Sequence, residues 1–406
     1  MPAAENDVVE GIFAINKPSG SSSAKIVGNL KHAFNRSTLF APLLEAQQHN
    51  NDRNGSSGRR RNKNAKRPQV KIGHGGTLDP LATGVLIIGV GKGTKRLQDY
   101  LSCTKTYEAT VLFGAATDSY DTEGRILKRA PFESLTRQKV EDALHQFRGK
   151  IMQRPPLYSA LKMNGKRLCD YARENKEIPR NIEERPIEVK ELEILEWVDG
   201  GEHEFSVRDE EADAESKEVA QALLHLGDGD PMSPIGGRGN GPELRSEGSK
   251  RKRSFDDAED QAVSNKRPAL SREDTDPTTL MSGGLQPLPE EQGPAEADKA
   301  TSENDAIAQS TAESGSAPPA VKLRMTVTSG FYVRSLAHDL GEAVGSLACM
   351  CSLVRTRQGD HQLGENVLEY GDVEQPEEIW GPKVKALIDS SGENQSIDWG
   401  HNHSPE

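Results

Sequence analysis

One stretch, residues 71–90, constrains the fold most strongly, because a glycine-rich turn there runs directly into an apolar segment rich in β-branched residues. The glycines of the turn permit backbone conformations that other residues rarely adopt, and they let a ligand approach the main chain. Asp79 follows the turn, and Pro80 favours extended backbone at Asp79 while fixing its own φ. The pattern predicts a stiff loop that presents one carboxylate outward.

The same residues also have a purely structural interpretation. Asp before Pro at the first helical position is a common helix start, in which the Asp side chain caps the backbone. From the residues alone, a helix-capping role and a functional role for the Asp79 carboxylate are about equally well supported.

A longer match separates these interpretations. The run His74-Gly-Gly-Thr-Leu-Asp79-Pro-Leu-Ala-Thr-Gly84 resembles the catalytic motif of the TruB family of pseudouridine synthases almost residue for residue. That family converts one uridine in the T-loop of tRNA to pseudouridine, and the Asp of its motif is the nucleophile. The resemblance therefore implies that Asp79 is the nucleophile, and it is more specific than a short glycine pattern.

Composition predicts a folded body with disordered insertions. Only 34% of the residues are hydrophobic and the mean hydropathy is -0.70, which is low for one fully packed chain. The net charge of -12 argues against a nucleic-acid partner. However, residues 199–320 hold about 27 acidic and 12 basic side chains, and without this segment of about -15 the remainder carries about +3. A mildly basic body with an acidic insertion is compatible with an RNA partner.

The cysteines and the apolar segments exclude several classes of protein. Cys349-x-Cys351 lacks a second ligand pair nearby, and no Cys-x-x-Cys occurs, so we expect no structural zinc. No secretory signal or long apolar span is visible, which predicts a reducing compartment and no membrane partner. The first ten residues are acidic, unlike an Arg-rich mitochondrial presequence.

The first ordered segment predicts a strand that ends at a lysine. The run Asn16-Lys17-Pro18-Ser-Gly20 closes that strand, and a helix follows with apolar residues at helical spacing through Phe34. A lysine at a strand end is usually a solvated residue. The family opens with a similar Asn-Lys-Pro-x-Gly motif, and the resemblance places Lys17 near the catalytic loop.

A second strand is predicted over residues 104–113 by its β-branched and aromatic content. Tyr107 near its start would ordinarily be a half-buried packing residue. The family has Lys-x-Tyr here, so the resemblance implies that Tyr107 is the active-site tyrosine. The loop that contains Asp118 and Asp121 also matches a family motif, although alone it would pass as an Asp-rich turn or a weak Ca²⁺ loop.

Basic and aromatic residues interleave in residues 153–173, a pattern typical of segments in which phosphates meet stacking side chains. An ordinary basic helix after a loop is the simpler alternative. The family has the same Pro-Pro-x-Tyr-Ser-Ala-x-Lys run in a flexible segment that grips RNA.

Arg334 is predicted at the start of a helix, where the macrodipole disfavours a cation, so we expect an anionic partner there. Asp79 is the natural candidate. The run Ser329-Gly-Phe-Tyr332-Val-Arg334 matches the family motif whose Arg forms a salt bridge to the catalytic Asp. Leu353 falls where the family has an apolar residue beneath the target base.

Together these matches imply a mixed α+β protein with the pseudouridine synthase fold, in which a mainly antiparallel sheet is flanked by helices. Residues 8–198 and 321–372 are expected to form one discontinuous catalytic domain. Residues 41–69 are predicted to be a basic disordered insertion, residues 199–320 an acidic disordered insertion, and residues 373–406 a C-terminal tail. The tail is too short for a separate RNA-binding domain with its own core, which argues against a guide RNA partner.

The resemblance assigns a chemical role to each candidate. Asp79 is the nucleophile, Arg334 is its charge partner, and Tyr107 stacks on the base and is a candidate for moving the proton. Tyr332 and Leu353 hold the flipped base. The isomerisation needs no redox equivalent and no phosphate energy, so neither a cofactor nor a metal is expected.

The remaining assignments concern the substrate and its surroundings. The resemblance implies that His74 packs against the rearranged T-loop. Lys17, which the resemblance places near the catalytic loop, is expected to be a substrate-binding residue as well. The expected partner is the T-arm of tRNA, with mRNA as a further substrate class and a monomeric enzyme. The basic run Arg59-Arg-Arg-Asn-Lys-Asn-Ala-Lys-Arg67 is a solvated loop, a nuclear address or a phosphate-binding arm. The compartment stays open among nucleus, mitochondrion and cytoplasm.

Two other functions are consistent with parts of the sequence. A non-catalytic tRNA-binding or tRNA-folding protein would retain Lys17 and the basic residues, but it would not need Asp79, Tyr107 and Arg334 together. A scaffold acting through the acidic insertion would lose its function when that insertion is deleted, whereas an enzyme would keep its activity.

Overall fold

A mixed sheet lies at the centre of the computed structural model, which describes residues 8–55, 67–174, 179, 182–214, 217 and 317–393. All of these belong to one compact unit made of Met1–Ser233 and Gly315–Glu406, and a second unit, Pro234–Ser314, lies outside the described residues. The sheet has ten strands, with the path β14-β1-β3-β12-β4-β11-β10-β7, and β2 and β13 pair beside β3 and β12. Its strands are β1 Gly11–Lys17, β2 Ile72–His74, β3 Thr83–Val90, β4 Lys105–Phe113, β7 Gly149–Gln153, β10 Arg185–Val198, β11 Ala320–Val327, β12 Ala348–Gln358, β13 His361–Gln362 and β14 Val367–Glu369.

Among the described strands, pairing within this sheet is antiparallel everywhere except at β1–β14 and β3–β12. The prediction of a mixed, mainly antiparallel sheet is therefore confirmed. Two small hairpins lie beside it, formed by β5 Ala115–Thr117 with β6 Ile126–Arg129 and by β8 Lys162–Met163 with β9 Lys166–Arg167.

Helices cover the sheet and bury its apolar side chains. They are α1 Ser23–Phe34, α2 Ala41–Gly55, α3 Leu97–Ser102, α4 Arg137–Leu144, α5 Leu168–Arg173, α6 Val333–Ala343, α7 Tyr370–Val373 and α8 Glu377–Glu393, with short 3₁₀ segments at Gly91–Arg96 and His145–Phe147. Helix α1 shows why the sequence prediction worked. The Ser22 hydroxyl accepts from the Lys25 amide as an N-cap, and Ile26, Leu30 and Phe34 are buried at four-residue spacing.

The acidic insertion enters the fold through a hairpin. Strands β10 and β11 are antiparallel neighbours, and Val198 lies opposite Ala320. The chain therefore leaves the sheet and returns at the same point, so a long insertion between these strands leaves the ladder intact.

Three boundaries differ from the sequence prediction. Helix α2 occupies Ala41–Gly55, so the prediction of disorder was wrong for that part of 41–69. Residues 199–214 are also described, and Ala212 is buried against the fold. Helix α8 extends the folded chain to Glu393, well past the predicted end at 372.

The remaining predictions about insertions fall on residues outside the described part of the chain. These include the basic run up to residue 66 and residues 218–316 of the acidic insertion. In the part of the chain that the structure describes, no helix is both long and apolar enough to cross a membrane.

Candidate active site

The loop that carries Asp79 connects β2 to β3 and is held by the turn between β1 and α1. The Ser23 side chain contacts both backbone groups of Leu78: it accepts from the amide at 2.9 Å and donates to the carbonyl at 3.1 Å. The Gly20 amide donates to the Pro80 carbonyl at 2.9 Å. Hydrogen bonds on both sides of Asp79 therefore fix the backbone, and the stiff loop predicted from the sequence is present.

Lys17 lies beneath this loop, with its side chain fully buried. Its Nζ donates to the carbonyls of Pro18 at 2.8 Å, Ser21 at 2.7 Å and Pro80 at 3.1 Å. An ammonium has three donors, so all of them are used on backbone. Burial lowers the pKa of Lys17 from 10.5 to about 8, the charge of Asp79 opposes that change, and the charge of Arg355 adds to it.

Asp79 forms a bidentate ion pair with Arg334. The Nε and Nη2 atoms of Arg334 lie 2.8 and 3.0 Å from Oδ2 and Oδ1 of Asp79. The Arg334 side chain is 6% exposed, whereas that of Asp79 is 30% exposed. The pairing predicted from the position of Arg334 at the start of α6 is confirmed, and the carboxylate stays accessible to a ligand.

The rest of the Arg334 guanidinium is also bound. Nη1 donates to the Ser119 carbonyl at 2.7 Å, and Nη2 donates to the Tyr158 carbonyl at 2.8 Å. These contacts leave the guanidinium little freedom, and such fork geometry is accessible to Arg but not to Lys. Arg334 therefore holds the Asp79 carboxylate in one orientation.

Asp121 is a second carboxylate at this guanidinium, with Oδ2 3.8 Å from Nε of Arg334. Its Oδ1 accepts from the Ser119 hydroxyl at 2.6 Å and from the Glu123 amide at 3.1 Å. Burial raises the pKa of Asp121, while the Ser119 hydrogen bond and the charge of Arg334 act in the opposite direction. The sequence assigned no role to Asp121, although the Thr-Asp-x-x-Asp spacing of its loop was the available signal.

Tyr107 and Leu353 lie on adjacent strands and on one face of the sheet. Leu353 pairs with Ala109, and Arg355 pairs with Tyr107, so both side chains point into the main core. Tyr107 is 9% exposed and Leu353 is 5% exposed. Both side chains are therefore well packed in the core, and their contact with a base stays a prediction.

Tyr332 is the residue before α6, and a buried glutamine holds its backbone. The Gln153 amide donates to the Tyr332 carbonyl at 3.0 Å and accepts from the Tyr332 amide at 2.8 Å. Burial raises the pKa of the Tyr332 hydroxyl, and the nearby charge of Arg185 lowers it. Gln153 fixes the entry into α6, a role that sequence reasoning missed because it depends on a contact 179 residues away.

His74 ends β2, and its Nδ1 lies 3.1 Å from the Gly76 carbonyl. Since the carbonyl can only accept, Nδ1 must carry the proton in this contact. Burial lowers the pKa of His74, and the Gly76 hydrogen bond opposes that shift. The ring is therefore neutral near pH 7 and half-buried at the edge of the loop.

The segment that interleaves basic and aromatic residues forms β8, β9 and α5. Several of its charges are paired within the protein: Nε of Arg167 lies 2.9 Å from Asp170, and Nζ of Lys166 lies 2.7 Å from Glu174 and 4.7 Å from the centre of the Tyr171 ring. The Tyr158 carbonyl, just before β8, connects this segment to Arg334.

One group among the described residues has the spacing of a metal site. His338, Asp339 and Glu342 of α6 offer ligand atoms within 4.8 Å of one another. Burial lowers the pKa of His338 to about 4 and raises that of Asp339 to about 7. The group lies one helical turn beyond Arg334, and the expectation of a metal-free enzyme stays a prediction.

Comparison with known proteins identifies the family. Residues 60–212 match the model of the TruB family pseudouridylate synthase N-terminal domain. The chain is 39% identical over 393 residues to tRNA pseudouridine synthase 4 of Schizosaccharomyces pombe, covering 96% of this chain and 89% of that protein. It is 33% identical to tRNA pseudouridine synthase 4 of Saccharomyces cerevisiae, covering 94% and 85%.

Among solved structures, the chain is similar to one in a Cbf5-Nop10-Gar1 complex, with a TM-score of 0.42 and 18% identity over 94% of this chain and 59% of that one. The sequence matches show that the chain belongs to the TruB family of pseudouridylate synthases. It is an enzyme of the isomerase class that acts on RNA.

Proposed function

We propose that the chain isomerises the T-loop uridine of tRNA (uridine-55) to pseudouridine. The observation that carries this proposal is the bidentate pair of Asp79 and Arg334 on a loop with the family motif, because it holds an accessible carboxylate in one fixed orientation. The two similar fungal proteins are both named tRNA pseudouridine synthase 4, which supports tRNA as the substrate.

The reaction breaks one bond and forms another at the same sugar. An oxygen of Asp79 attacks the sugar C1′ or the base, and the N1–C1′ bond breaks. The uracil turns and its C5 bonds to C1′, while the bond from the Asp79 oxygen to the carbon it attacked breaks and restores the carboxylate. The proton on C5 is then removed, and N1 takes up a proton. No electron is gained or lost. Arg334 holds the Asp79 carboxylate in one orientation through its two hydrogen bonds.

The other predicted residues are proposed to hold the nucleotide. A T-loop uridine must leave its stack to reach Asp79, at a cost of a few kcal/mol. Tyr107 stacks on the flipped base and is a candidate for moving the proton, while Tyr332 and Leu353 enclose the base. His74 packs against the loop left behind, and Lys17 supports the backbone at Pro80.

Several finer points remain predictions. They are action on mRNA uridines, action as a monomer without a guide RNA, and a nuclear or mitochondrial location. The segments that bear on location lie outside the described residues.

Replacement of Asp79 tests the proposal. A tRNA T-arm stem-loop labelled with tritium at uridine C5 releases the label when pseudouridine forms. We expect Asp79→Asn to abolish release while the RNA dissociation constant changes by less than about 3-fold, because the amide cannot act as nucleophile.

Asp142→Asn is the matched control, since it removes an exposed carboxylate on α4. Retained turnover in Asp79→Asn would refute the nucleophile assignment. A wild-type protein that binds the stem-loop without releasing label would instead favour the tRNA-folding alternative.

A further inference from the structure

Strand β12 ends beneath the Asp79 loop, and two of its side chains reach that loop. In a regular strand, residues three apart point to opposite faces. Here the pairing of β12 with β4 shifts between Arg355 and Arg357, which leaves Thr356 as an extra residue. Such a bulge re-aims the side chains that follow it. As a result, Arg355 and Gln358 both face the glycine turn that precedes Asp79.

Arg355 joins the two arms of the loop. Its Nε donates to the Val85 carbonyl at 2.7 Å, and its Nη1 lies 3.4 Å from the Thr77 carbonyl. Thr77 precedes Asp79 and Val85 follows it, so one guanidinium spans the loop at its base. The side chain is 1% exposed, and this burial leaves it no alternative partners in water.

Gln358 binds the glycine turn at a residue that precedes Thr77. Its side-chain amide donates to the Gly75 carbonyl at 2.6 Å and to the Tyr100 carbonyl at 2.9 Å. A Cβ at Gly76 would lie 3.4 Å from Nε2 of Gln358 and 3.7 Å from Nη1 of Arg355. The turn therefore rests directly on these two side chains.

The start of β3 is pressed against the same residue. A Cβ at Gly84 would lie 2.3 Å from the Arg355 carbonyl oxygen and 2.8 Å from its amide nitrogen. Gly84 also has φ of +102°, which favours glycine. Gly84, the last residue of the family motif, therefore leaves the space that the backbone of Arg355 occupies.

The charge of Arg355 is unusual for a buried group. Among the described residues, no carboxylate lies within salt-bridge distance of it, and its Nη2 has no hydrogen-bond partner. A buried cation without a counter-ion is costly, and a neutral amide such as Gln358 would suffice to bind carbonyls.

The charge of Arg355 also changes the pKa of neighbouring groups. After burial itself, the charge of Arg355 is among the causes that lower the pKa of Lys17, whose Nζ binds the Pro80 carbonyl. It also contributes to the lowered pKa of His74. The positive charge of Arg355 therefore acts on two groups close to Asp79, while its hydrogen bonds to Val85 and Thr77 place it at the base of the loop.

We propose that Arg355, assisted by Gln358, is a positioning residue for the isomerisation: it fixes the loop so that Asp79 meets the flipped nucleotide in a reactive orientation. The inference rests on the proposed function. It concerns catalysis rather than RNA affinity, because both side chains are buried beneath the loop and donate their hydrogen bonds to backbone carbonyls.

The test measures single-turnover rate and RNA dissociation constant separately on the tritiated T-arm stem-loop. Arg355→Met should lower the rate by about 100-fold with the dissociation constant within about 3-fold of wild type, since a small misplacement of a reacting group costs about that much. Arg355→Lys, which keeps the charge but not the fork, should lower the rate by about 10-fold.

Arg357→Met is the matched control, because it removes a cation from the same strand without touching the loop; Nε of Arg357 lies 3.4 Å from the Thr106 hydroxyl. Its rate should stay within about 3-fold of wild type. Gln358→Met removes the Gly75 contact without removing a charge, and it should lower the rate by about 10-fold even if Arg355→Met does not fold.

The pH profile separates positioning from general structural support. Loss of the Arg355 charge should raise the pKa of Lys17. The fall in rate at high pH should therefore occur at a higher pH in Arg355→Met but not in Gln358→Met. A folded Arg355→Met with a wild-type rate, or with its whole defect in the dissociation constant, would overturn the inference. Failure of the wild-type protein to release label would instead refute the proposed function.

Discussion

Lys17 shows how a buried charge can be tolerated when backbone alone surrounds it. Its three N–H groups meet three carbonyls, from Pro18, Ser21 and Pro80, so no donor is lost on burial. The remaining cost is desolvation of the charge, and it appears as a pKa lowered to about 8. The ammonium therefore titrates close to physiological pH, while it supports the residue that follows Asp79.

This titration predicts a pH dependence of the reaction. When Lys17 loses its proton, it keeps two donors for three carbonyls and its charge beside Asp79 disappears. We expect the single-turnover rate to be level below about pH 7 and to fall as pH rises through about 8, to about one tenth by pH 9. Lys17→Met should be slower and should not show that fall on the same RNA. If both proteins follow the same profile, the RNA or another group is responsible.

At the scale of elements, α6 connects the site to a buried network. Arg334 occupies its first turn and His338 its second, and the His338 ring stacks on Tyr120 at 4.0 Å. Tyr120 has φ of +63°, which is uncommon outside glycine. It lies between Ser119 and Asp121, both of which contact Arg334. The stacked pair therefore fixes the loop that presents those two partners.

The first residues of the acidic insertion form another such element. The Ile126 amide donates to the Glu210 carbonyl at 2.8 Å, which aligns this segment with β6. Its carboxylates then pair with the arginines of that hairpin: Glu210 and Asp213 lie 3.2 and 3.4 Å from Arg125, and Asp209 lies 3.3 Å from Arg129. The partners are half-exposed or more, so the pairs add little stability but occupy cations that could bind phosphate.

Neutralising this segment should strengthen RNA binding. In the full chain, Asp209→Asn, Glu210→Gln and Asp213→Asn together release two arginines. We expect the T-arm dissociation constant to fall by about 10-fold at low salt, with the salt slope steeper by roughly 2. In a background of Arg125→Gln and Arg129→Gln, the same neutralisation should bring no gain. An equal gain in both backgrounds would assign the effect to net charge alone.

At the scale of the molecule, local patterns predicted individual strands and an anionic partner for Arg334, whereas the mixed sheet was implied by the family resemblance. Alternating apolar residues predict strands, and a cation at a helix start predicts an anion nearby. The contacts of Arg355, Gln358 and Gln153 could not be predicted, because they depend on a bulge and on strand pairing between distant segments.

Two helices were missed for a related reason. Helix α8 contains Pro382, which disfavours a helix, yet Trp380, Val384 and Ile388 are buried at four-residue spacing. Helix α2 has a low apolar content, and its anchor is Phe40, whose ring lies 4.4 Å from that of Phe34. Helix α8 packs mainly on β1 and also contacts Phe34 at the end of α1, and Phe40, just before α2, packs on the same Phe34 ring. Tertiary packing rather than propensity therefore stabilises both helices, so a local pattern is a weak guide to them.

The C-terminal helix should therefore be essential for stability rather than a dispensable tail. Trp380 is 4% exposed and stacks on Phe34 at 5.4 Å, so Trp380→Ala opens a cavity between α8 and α1. We expect it to lower the free energy of unfolding by about 3–5 kcal/mol, measured by urea denaturation followed by circular dichroism. Ile379→Ala, at a neighbouring position that is 43% exposed, should cost less than about 1 kcal/mol.

A chain ending at Glu393 should match the full-length protein in stability, whereas one ending at residue 376 should lose cooperative unfolding. A cost below about 1 kcal/mol for Trp380→Ala would instead mean that the residues after 372 are a tail, as the sequence alone predicted.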